Sequence, residues 1–160
     1  MFDRLAYIAR DIFKAIWYWP HIQESSGSIF FKDWRNHPRV KVHPTVDFDG
    51  ETLVNVYSGS IYIDEYSFLG QRCMLIAGAH DISKRGKERK DAFLIEGCDI
   101  KIGKGVFIGA GSILIGPCTI GDDAVIGAGS VVTSGDYESG CLYAGNPAVF
   151  KKRIGMTNEN

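Results

Sequence analysis

Large aliphatic residues recur every six positions between residues 102 and 137. The consecutive units read IGKGVF, IGAGSI, LIGPCT, IGDDAV, IGAGSV and VTSGDY. A period of six fits neither the 3.6-residue period of an α-helix nor the alternation of a simple strand. It is typical of a parallel β-solenoid, in which short faces meet at tight corners and equivalent side chains stack from coil to coil. The pattern predicts an all-β solenoid whose interior consists of aliphatic ladders. The fifth positions of the first five units hold the smaller inward residues Val106, Ser112, Cys118, Ala124 and Ser130.

A second tract obeys the same rule upstream and ends at His80. Its units IDEYSF, LGQRCM and LIAGAH begin at Ile63, Leu69 and Leu75. The two tracts are out of phase, because Leu75 and Ile102 are 27 residues apart, which is not a multiple of six. We therefore expect a loop over about residues 81–97 to protrude between them. Weaker units are expected further back, and the loop is rich in cations. The weak units begin near Val42, Phe48 and Val54, and the basic loop residues are Lys84, Arg85, Lys87, Arg89 and Lys90.

Both ends of the chain carry helix signals. Residues 1–20 place apolar side chains at helical spacing before Pro20, which predicts an amphipathic helix too rich in charge to cross a bilayer. Three roles stay open for this helix: a cap on the solenoid, a peripheral membrane contact, or part of an acceptor pocket. At the other end, Asn146 as N-cap, Pro147 at the first helical position and Gly155 as a stop predict a short basic C-terminal helix over residues 147–154.

Composition fits one domain over residues 1–160, with the β-helix over about 40–146. The net charge of −1 argues against a general nucleic-acid binder, which would carry a strongly basic face. The four cysteines are best interpreted as buried reduced thiols. With no signal peptide visible in the charged N-terminal stretch, a cytoplasmic protein is expected.

Three further segments complete a family pattern: GAHD at residues 78–81, IGAGSVVTSGD at 126–136 and AGNPA at 144–148. Together with the hexapeptide tract, they resemble the left-handed β-helix acyltransferases, most of all the sugar O-acetyltransferase and xenobiotic acetyltransferase branch. The resemblance covers roughly residues 40–154. It implies a left-handed triangular prism of about three units per coil, a homotrimer, and acetyl-CoA bound in a cleft between neighbouring prisms, with no metal required.

His80 matches the catalytic histidine of that family. A hydroxyl is a poor nucleophile at neutral pH, so its attack on a thioester needs a base within hydrogen-bond reach, and imidazole suits that task. The imidazole works better when its other ring nitrogen is fixed by a hydrogen bond. Asp81 and a backbone carbonyl are both candidates for that contact.

The cofactor positions are implied by the resemblance. Ala110 and Ala128 should present backbone to the pantetheine arm and Thr133 should line the same groove, although all three also suit plain corner or strand positions. Relatives commonly carry a basic residue where this chain has Val149. We therefore assign the CoA phosphates to Lys151 and Lys152, the alternative being a solvated charged face.

The acceptor contacts have weaker support. Asn55 and Tyr57 lie near the positions where relatives place polar acceptor contacts. Arg85 belongs to the basic loop, which would suit an anionic acceptor or could be a solvated loop. Phe107 stands where the family often has tryptophan, so an apolar wall is kept and an indole N–H is lost.

The pattern as a whole favours an acetyl-CoA-dependent O-acetyltransferase acting on a hydroxyl of a small acceptor: a sugar, a glycan precursor or a hydroxylated xenobiotic. N-acetylation of an amino sugar is the nearest variant. A non-catalytic β-helix scaffold also stays open. A zinc hydratase of the γ-carbonic anhydrase type would need three histidine ligands, and only His80 lies within the strong repeats.

Overall fold

The computed structural model describes residues 37–48 and 51–155, so the helix predicted for residues 1–20 lies outside the described residues. The described chain is a parallel solenoid of short strands with one short helix, α1, at Gly86–Asp91. The strands are β1 Val40–Val42, β2 Asp47–Phe48, β3 Leu53–Asn55, β4 Ile61–Ile63, β5 Phe68–Leu69, β6 Met74–Ile76, β7 Ile100–Ile102, β8 Phe107–Ile108, β9 Ile113–Ile115, β10 Cys118–Ile120, β11 Val125–Ile126, β12 Val131–Val132, β13 Gly135–Tyr137, β14 Cys141–Ala144 and β15 Val149–Arg153.

The strands form three sheets, which are the three faces of a prism. Face A contains β1, β4, β7, β10 and β13; face B contains β2, β5, β8, β11, β14 and β15; face C contains β3, β6, β9 and β12. All pairs are parallel except β14 with β15. The chain passes through faces A, B and C in turn, and each strand pairs with its equivalent in the next coil. Neighbouring coils are therefore about 4.8 Å apart, the distance between paired strands. The hexapeptide period predicts this parallel solenoid, and its left-handed form is the one that the resemblance implies.

The interior follows the six-residue pattern. First-position residues of both tracts form buried ladders, for example Ile63, Ile102 and Ile120 on face A, each at most 3% exposed. The buried serines at fifth positions satisfy their hydroxyls at the corners, since Ser67 Oγ donates to the Gly103 carbonyl at 2.6 Å and Ser112 Oγ to the Gly109 carbonyl at 2.7 Å. Such pairing removes the cost of burying a hydroxyl. The predicted core is confirmed.

The extra residues that break the period lie at one corner, between faces C and A, which we call the C/A corner. Ile100 pairs with Cys118, 18 positions later, and that is a coil without insertion. Val40 pairs with Ile61, 21 positions later, and Ile61 pairs with Ile100, 39 positions later. The three-residue insertion falls between β3 and β4, and the loop falls between β6 and β7, so the two stack on each other in adjacent coils.

The loop is not featureless. After His80 the chain turns, forms α1, and returns through Phe93, which makes an antiparallel β-bridge with His80. Backbone bonds from Asp81 N to the Ala92 carbonyl (3.0 Å) and from Leu94 N to the Ala79 carbonyl (3.0 Å) close the base of the loop. The expected protrusion is therefore a closed, partly helical excursion.

The predicted C-terminal helix over 147–154 is wrong. Residues Val149–Arg153 form strand β15, which pairs antiparallel with β14. The capping signals at Asn146 and Gly155 were outweighed by tertiary structure, because β14 ends face B and offers an unpaired strand edge. Val149 and Phe150 also favour a strand over a helix. In the described ranges the structure has no helix long and apolar enough to cross a membrane.

Candidate active site

His80 lies at the C/A corner, where β6 ends and the loop begins, and its side chain is exposed. Its Nδ1 is 3.0 Å from the backbone carbonyl oxygen of Arg89, at the end of α1. A carbonyl oxygen only accepts hydrogen bonds, so Nδ1 must carry the proton in this contact. In the neutral ring, Nε2 then holds the lone pair. The loop thus selects the tautomer in which Nε2 can act as a base.

A row of three rings packs at this corner. The His80 and Phe93 centroids are 4.1 Å apart with planes tilted by 36°, and those of Phe93 and Tyr57 are 4.2 Å apart with a tilt of 37°. Tyr57 belongs to the three-residue insertion of the coil below, and Phe93 to the return of the loop. The two insertions that interrupt the repeat therefore meet at the histidine.

Asp81 does not make the orienting contact that the sequence suggested for it. Its Oδ1 accepts hydrogen bonds from Ser83 N at 3.0 Å and from Ser83 Oγ at 2.6 Å. These two bonds hold the pKa of the Asp81 carboxyl below its usual range. The arrangement is a local turn at the start of the loop. Of the two contacts left open by the sequence, the structure shows the backbone carbonyl.

Arg89 organises the loop with its side chain as well as its carbonyl. Its Nε donates to the Lys84 carbonyl at 2.8 Å, and its Nη2 lies 3.5 Å from the Ile82 carbonyl oxygen. Arg85, assigned to the acceptor from the sequence, is the N-cap residue of α1 and is exposed. The loop cations therefore divide into one that ties the loop together and others that face solvent.

Asn55 supports the corner from below. Its Oδ1 accepts a hydrogen bond from Tyr57 N at 3.1 Å, and a Cβ at Gly78 would overlap the same oxygen. Arg39 adds a bond from Nη1 to the Tyr57 carbonyl at 3.0 Å. Tyr57 is 44% exposed, whereas Asn55 is half-buried. Asn55 thus shapes the turn that presents Tyr57.

Ala110 and Ala128 lie one above the other at the corner between faces B and C. They follow β8 and β11, and both are exposed. A Cβ at Gly109 would overlap the backbone of Ala128, so the coils approach closely here because this residue has no side chain. The result is a smooth corner with accessible backbone, which suits a thin ligand chain.

Thr133 follows β12 at the far edge of face C, on the same corner as His80 but in later coils. Its backbone N and O both contact the Tyr137 hydroxyl, at 3.1 and 3.2 Å. The structure therefore places the alanines along one edge of face C, and Thr133 and His80 along the other.

Lys151 and Lys152 lie on the exposed strand β15 instead of a helix. Lys152 pairs with Leu142 on the outer side of face B, and a register shift between Leu142 and Tyr143 leaves Lys151 as the bulged residue. Neighbouring Arg153 is paired with Glu138 at 2.8 Å. Phe107 also lies on the outside of face B, where it stacks on Phe68 with centroids 4.6 Å apart. The structure therefore does not bring Phe107 into the ring row at His80.

Phe93 and the structural role of Arg89 were missed from the sequence. Phe93 follows an irregular loop with no repeat, and the row Tyr57–Phe93–His80 joins positions that share no spacing. One usable signal exists: both interruptions of the period fall at the same corner, so residues within them are expected to meet.

The repeat and the fold agree with those of known proteins. Residues 99–134 match the model of the bacterial transferase hexapeptide (six repeats). Serine acetyltransferase 4 from Arabidopsis thaliana is 30% identical over 120 residues, which cover 75% of this chain and 30% of that protein. The chain spans between 15% and 31% of the length of the curated relatives it matches.

Solved structures share the architecture over most of the chain. A maltose O-acetyltransferase from Clostridium difficile 630 has a TM-score of 0.54 and 26% identity, covering 85% of this chain and 80% of that one. A mutant of AntD, an N-acyltransferase from Bacillus cereus in complex with dTDP-4-amino-4,6-dideoxyglucose and coenzyme A, has a TM-score of 0.60 and 20% identity, covering 73% and 64%. The chain thus carries the bacterial transferase hexapeptide repeat over residues 99–134 and shares its fold with these two acyltransferases.

No group of three or more His, Cys, Asp or Glu side chains within residues 37–48 and 51–155 is arranged to hold a metal ion. The site geometry is instead that of a single imidazole with a fixed tautomer, held at the edge of a prism face.

Proposed function

We propose that this protein is an acetyl-CoA-dependent O-acetyltransferase that acetylates a hydroxyl of a small carbohydrate acceptor, with His80 as general base. The observation that carries the proposal is the contact between His80 Nδ1 and the Arg89 carbonyl, which leaves Nε2 as the basic nitrogen at an exposed corner of a hexapeptide solenoid.

The chemistry follows from that tautomer. Nε2 accepts the proton of the acceptor hydroxyl while its oxygen attacks the thioester carbonyl of acetyl-CoA. The hydrogen bond from His80 Nδ1–H to the Arg89 carbonyl becomes stronger when the imidazole is protonated, because a charged donor makes a stronger hydrogen bond than a neutral one. The imidazolium then returns the proton to the departing CoA thiolate, so the acetyl group ends on oxygen and CoA leaves as the thiol.

Other parts of the solenoid suit the cofactor. The smooth corner at Ala110 and Ala128 is proposed for the pantetheine arm, and the outward Lys152 for the phosphates. Thr133 lies on the opposite edge of face C, so it would line the same groove only across a contact between protomers. In a homotrimer of such prisms, one protomer's corner would lie against its neighbour, and we propose that assembly here. The cysteines at 73, 98, 118 and 141 are all free and buried, which supports a reducing, cytoplasmic setting.

A carbohydrate acceptor is supported by two observations. The solved maltose O-acetyltransferase aligns over 85% of the chain. The exposed Tyr57 beside His80 also offers a ring on which a sugar can stack. Two other acceptors have specific support: the amino group of an amino sugar, from the AntD fold, and the hydroxyl of serine, from the 30% identity to serine acetyltransferase 4.

The test is release of CoA thiol from acetyl-CoA with a panel of neutral sugars, nucleotide sugars, amino sugars, hydroxylated antibiotics and serine. We expect release that depends on a sugar hydroxyl. In the His80→Ala variant it should fall by roughly 10²–10⁴-fold with acetyl-CoA binding retained, because only proton transfer is lost. His43→Ala is the matched control, since His43 is exposed and its Nδ1 contacts Thr45 Oγ1 at 2.8 Å on another corner. Full turnover in His80→Ala would remove the general-base assignment, and release only with serine or an amino sugar would replace the acceptor class.

A further inference from the structure

We propose that Phe93 is a positioning residue for His80: its ring, held between His80 and Tyr57, fixes the imidazole plane so that the Nδ1–H bond to the Arg89 carbonyl is maintained. The inference rests on the proposed function, because a fixed imidazole matters for turnover only if His80 is the base.

The contacts surround the imidazole on two sides. The Arg89 carbonyl lies 3.0 Å from Nδ1, and rotation of the ring about its bond to Cβ would break this hydrogen bond. A single exposed hydrogen bond is weak, however, so by itself it restrains the ring only loosely. Phe93 packs against the ring face at a centroid distance of 4.1 Å. A bond at the edge and a ring at the face together define one plane.

Phe93 is itself fixed from the other side. Its ring lies 4.2 Å from that of Tyr57, and its backbone pairs with His80 in the antiparallel bridge. Tyr57 is held in turn by the Asn55 side chain at its N–H and by Arg39 at its carbonyl. The row therefore connects the imidazole to the turn between β3 and β4, although His80 begins an excursion whose tip faces solvent.

Apolar residues of the loop differ in burial, and only Phe93 packs in the row of rings. Ile82 and Ile95 are 83% and 85% exposed, while Phe93 between them is half-buried. A side chain that merely filled space could be replaced by another apolar one. A side chain that sets the plane of the imidazole requires a flat ring, and this difference is what a substitution series can measure.

The test compares Phe93→Leu and Phe93→Met, which keep an apolar side chain without a ring, with Phe93→Tyr, which keeps the ring. Tyr62→Leu is the matched control, because Tyr62 is a half-buried aromatic on face A, where Lys41 Nζ lies 5.6 Å from its centroid. The direct readout is the histidine ring tautomer, from two-bond ¹H–¹⁵N correlation spectra at about pH 9, where imidazoles are neutral. The His80 signals are those missing in His80→Ala.

We expect Nδ1–H imidazole in the unmodified protein, in Phe93→Tyr and in Tyr62→Leu. Phe93→Leu and Phe93→Met should shift His80 toward the Nε2–H tautomer. An unchanged tautomer in both ring-less variants that still show folded spectra would overturn the proposal, and so would an equal shift in Tyr62→Leu.

The kinetic readout uses whichever acceptor of the panel releases most CoA. Loss of the ring should lower kcat by roughly 10- to 100-fold with little change in KM for acetyl-CoA, because small misplacement of a base is costly. Phe93→Tyr should keep kcat close to that of the unmodified protein, because it retains the ring. If the unmodified protein releases no CoA with any acceptor, the proposed function fails, while the tautomer spectra still decide whether Phe93 positions His80.

Discussion

The imidazole of His80 is oriented by loop groups that the six-residue repeat does not predict. The carbonyl that fixes its tautomer comes from Arg89, nine residues further along the chain, and the ring that packs on it comes from Phe93. A side chain at the end of a coil would otherwise sample several rotamers. At the scale of single residues, the position of this imidazole depends on backbone and aromatic contacts made by the loop.

Asp81→Asn tests whether the neighbouring carboxylate takes part in catalysis. Because Asp81 Oδ1 accepts both of its bonds from Ser83, we expect acceptor-dependent CoA release to fall far less than the roughly 100-fold minimum for loss of a general base. Ser83→Ala should have a similar small effect, since it removes one of the same bonds. A loss in Asp81→Asn alone that equals the loss in His80→Ala would show that the carboxylate acts on the imidazole.

The buried thiol of Cys118 predicts a pH dependence of folding stability. Burial raises the pKa of Cys118 to about 12, against about 8.5 for an ordinary thiol. The folded state holds this proton more tightly, so its contribution to stability is complete below about pH 8.5. It declines as the pH rises toward 12, by up to about 1.4 kcal/mol per pH unit.

Urea unfolding at several pH values between 8 and about 10.5 measures this effect, with Cys118→Ala as the comparison. The alanine variant should be less stable at pH 8 because of the smaller side chain, and the gap between the two proteins should narrow as the pH rises. The other titrating groups are the same in both proteins, so parallel curves would contradict the raised pKa.

Strand β15 is the element in which local signals and tertiary structure disagree. Asn146, Pro147 and Gly155 form the pattern of a capped helix, yet the segment pairs with β14 along its length. The change matters for function, because the strand gives the two lysines different positions beside β14. A helix would have grouped Lys151 and Lys152 in one turn, whereas in the strand Lys152 is paired with Leu142 and Lys151 is the unpaired bulged residue.

Lys152→Ala and Lys151→Ala should therefore differ. Lys152 is level with Leu142 on the outer side of face B, so we expect its loss to weaken acetyl-CoA binding about two- to fivefold at low salt, the range of an exposed ion pair. Lys151→Ala should have a smaller effect. Isothermal titration at two salt concentrations measures both, with Lys41→Ala on face A as control. Equal effects of Lys151 and Lys152, or an effect of Lys152 that salt does not screen, would place the phosphates elsewhere.

The three faces of the whole solenoid differ in their outer surfaces. Face A presents Lys41, Tyr62, Lys101, Thr119 and Asp136 in register. The outer ladder of face B includes Phe68, Phe107, Val125 and Leu142, and that of face C includes Leu53, Met74, Ile113 and Val131. Faces B and C therefore carry outward apolar ladders, which is the kind of surface that protein interfaces bury.

We expect a homotrimer in solution, with a mass by light scattering of three times the 17.7 kDa chain. Phe68→Glu should shift the protein toward smaller species, because Phe68 is 45% exposed and lies in the apolar ladder of face B. Thr119→Glu on polar face A is the control and should leave the mass unchanged. A monomer at micromolar concentration in the unmodified protein would contradict the assembly.

The amino-acid sequence by itself determined the solenoid, its interior and the place where it is interrupted. A six-residue period dictates which side chains face inward, because each coil repeats the environment of the last. The first-position residues are buried as that period requires: Ile102, Ile108, Leu114, Ile120, Ile126 and Val132. The histidine at the phase break could be identified for the same reason. The resemblance to known acyltransferases supplied the expected role.

The tertiary structure decided the contacts that join residues of different coils. In the folded protein, His80 Nδ1 contacts the Arg89 carbonyl and not Asp81, and Phe93 lies between the rings of His80 and Tyr57. Residues 149–153 form a strand instead of the predicted helix. The physical reason is the same in each case. A loop carbonyl, an aromatic neighbour and an open strand edge become available only when separate coils have stacked, and their interactions then outweigh the local preferences of the chain.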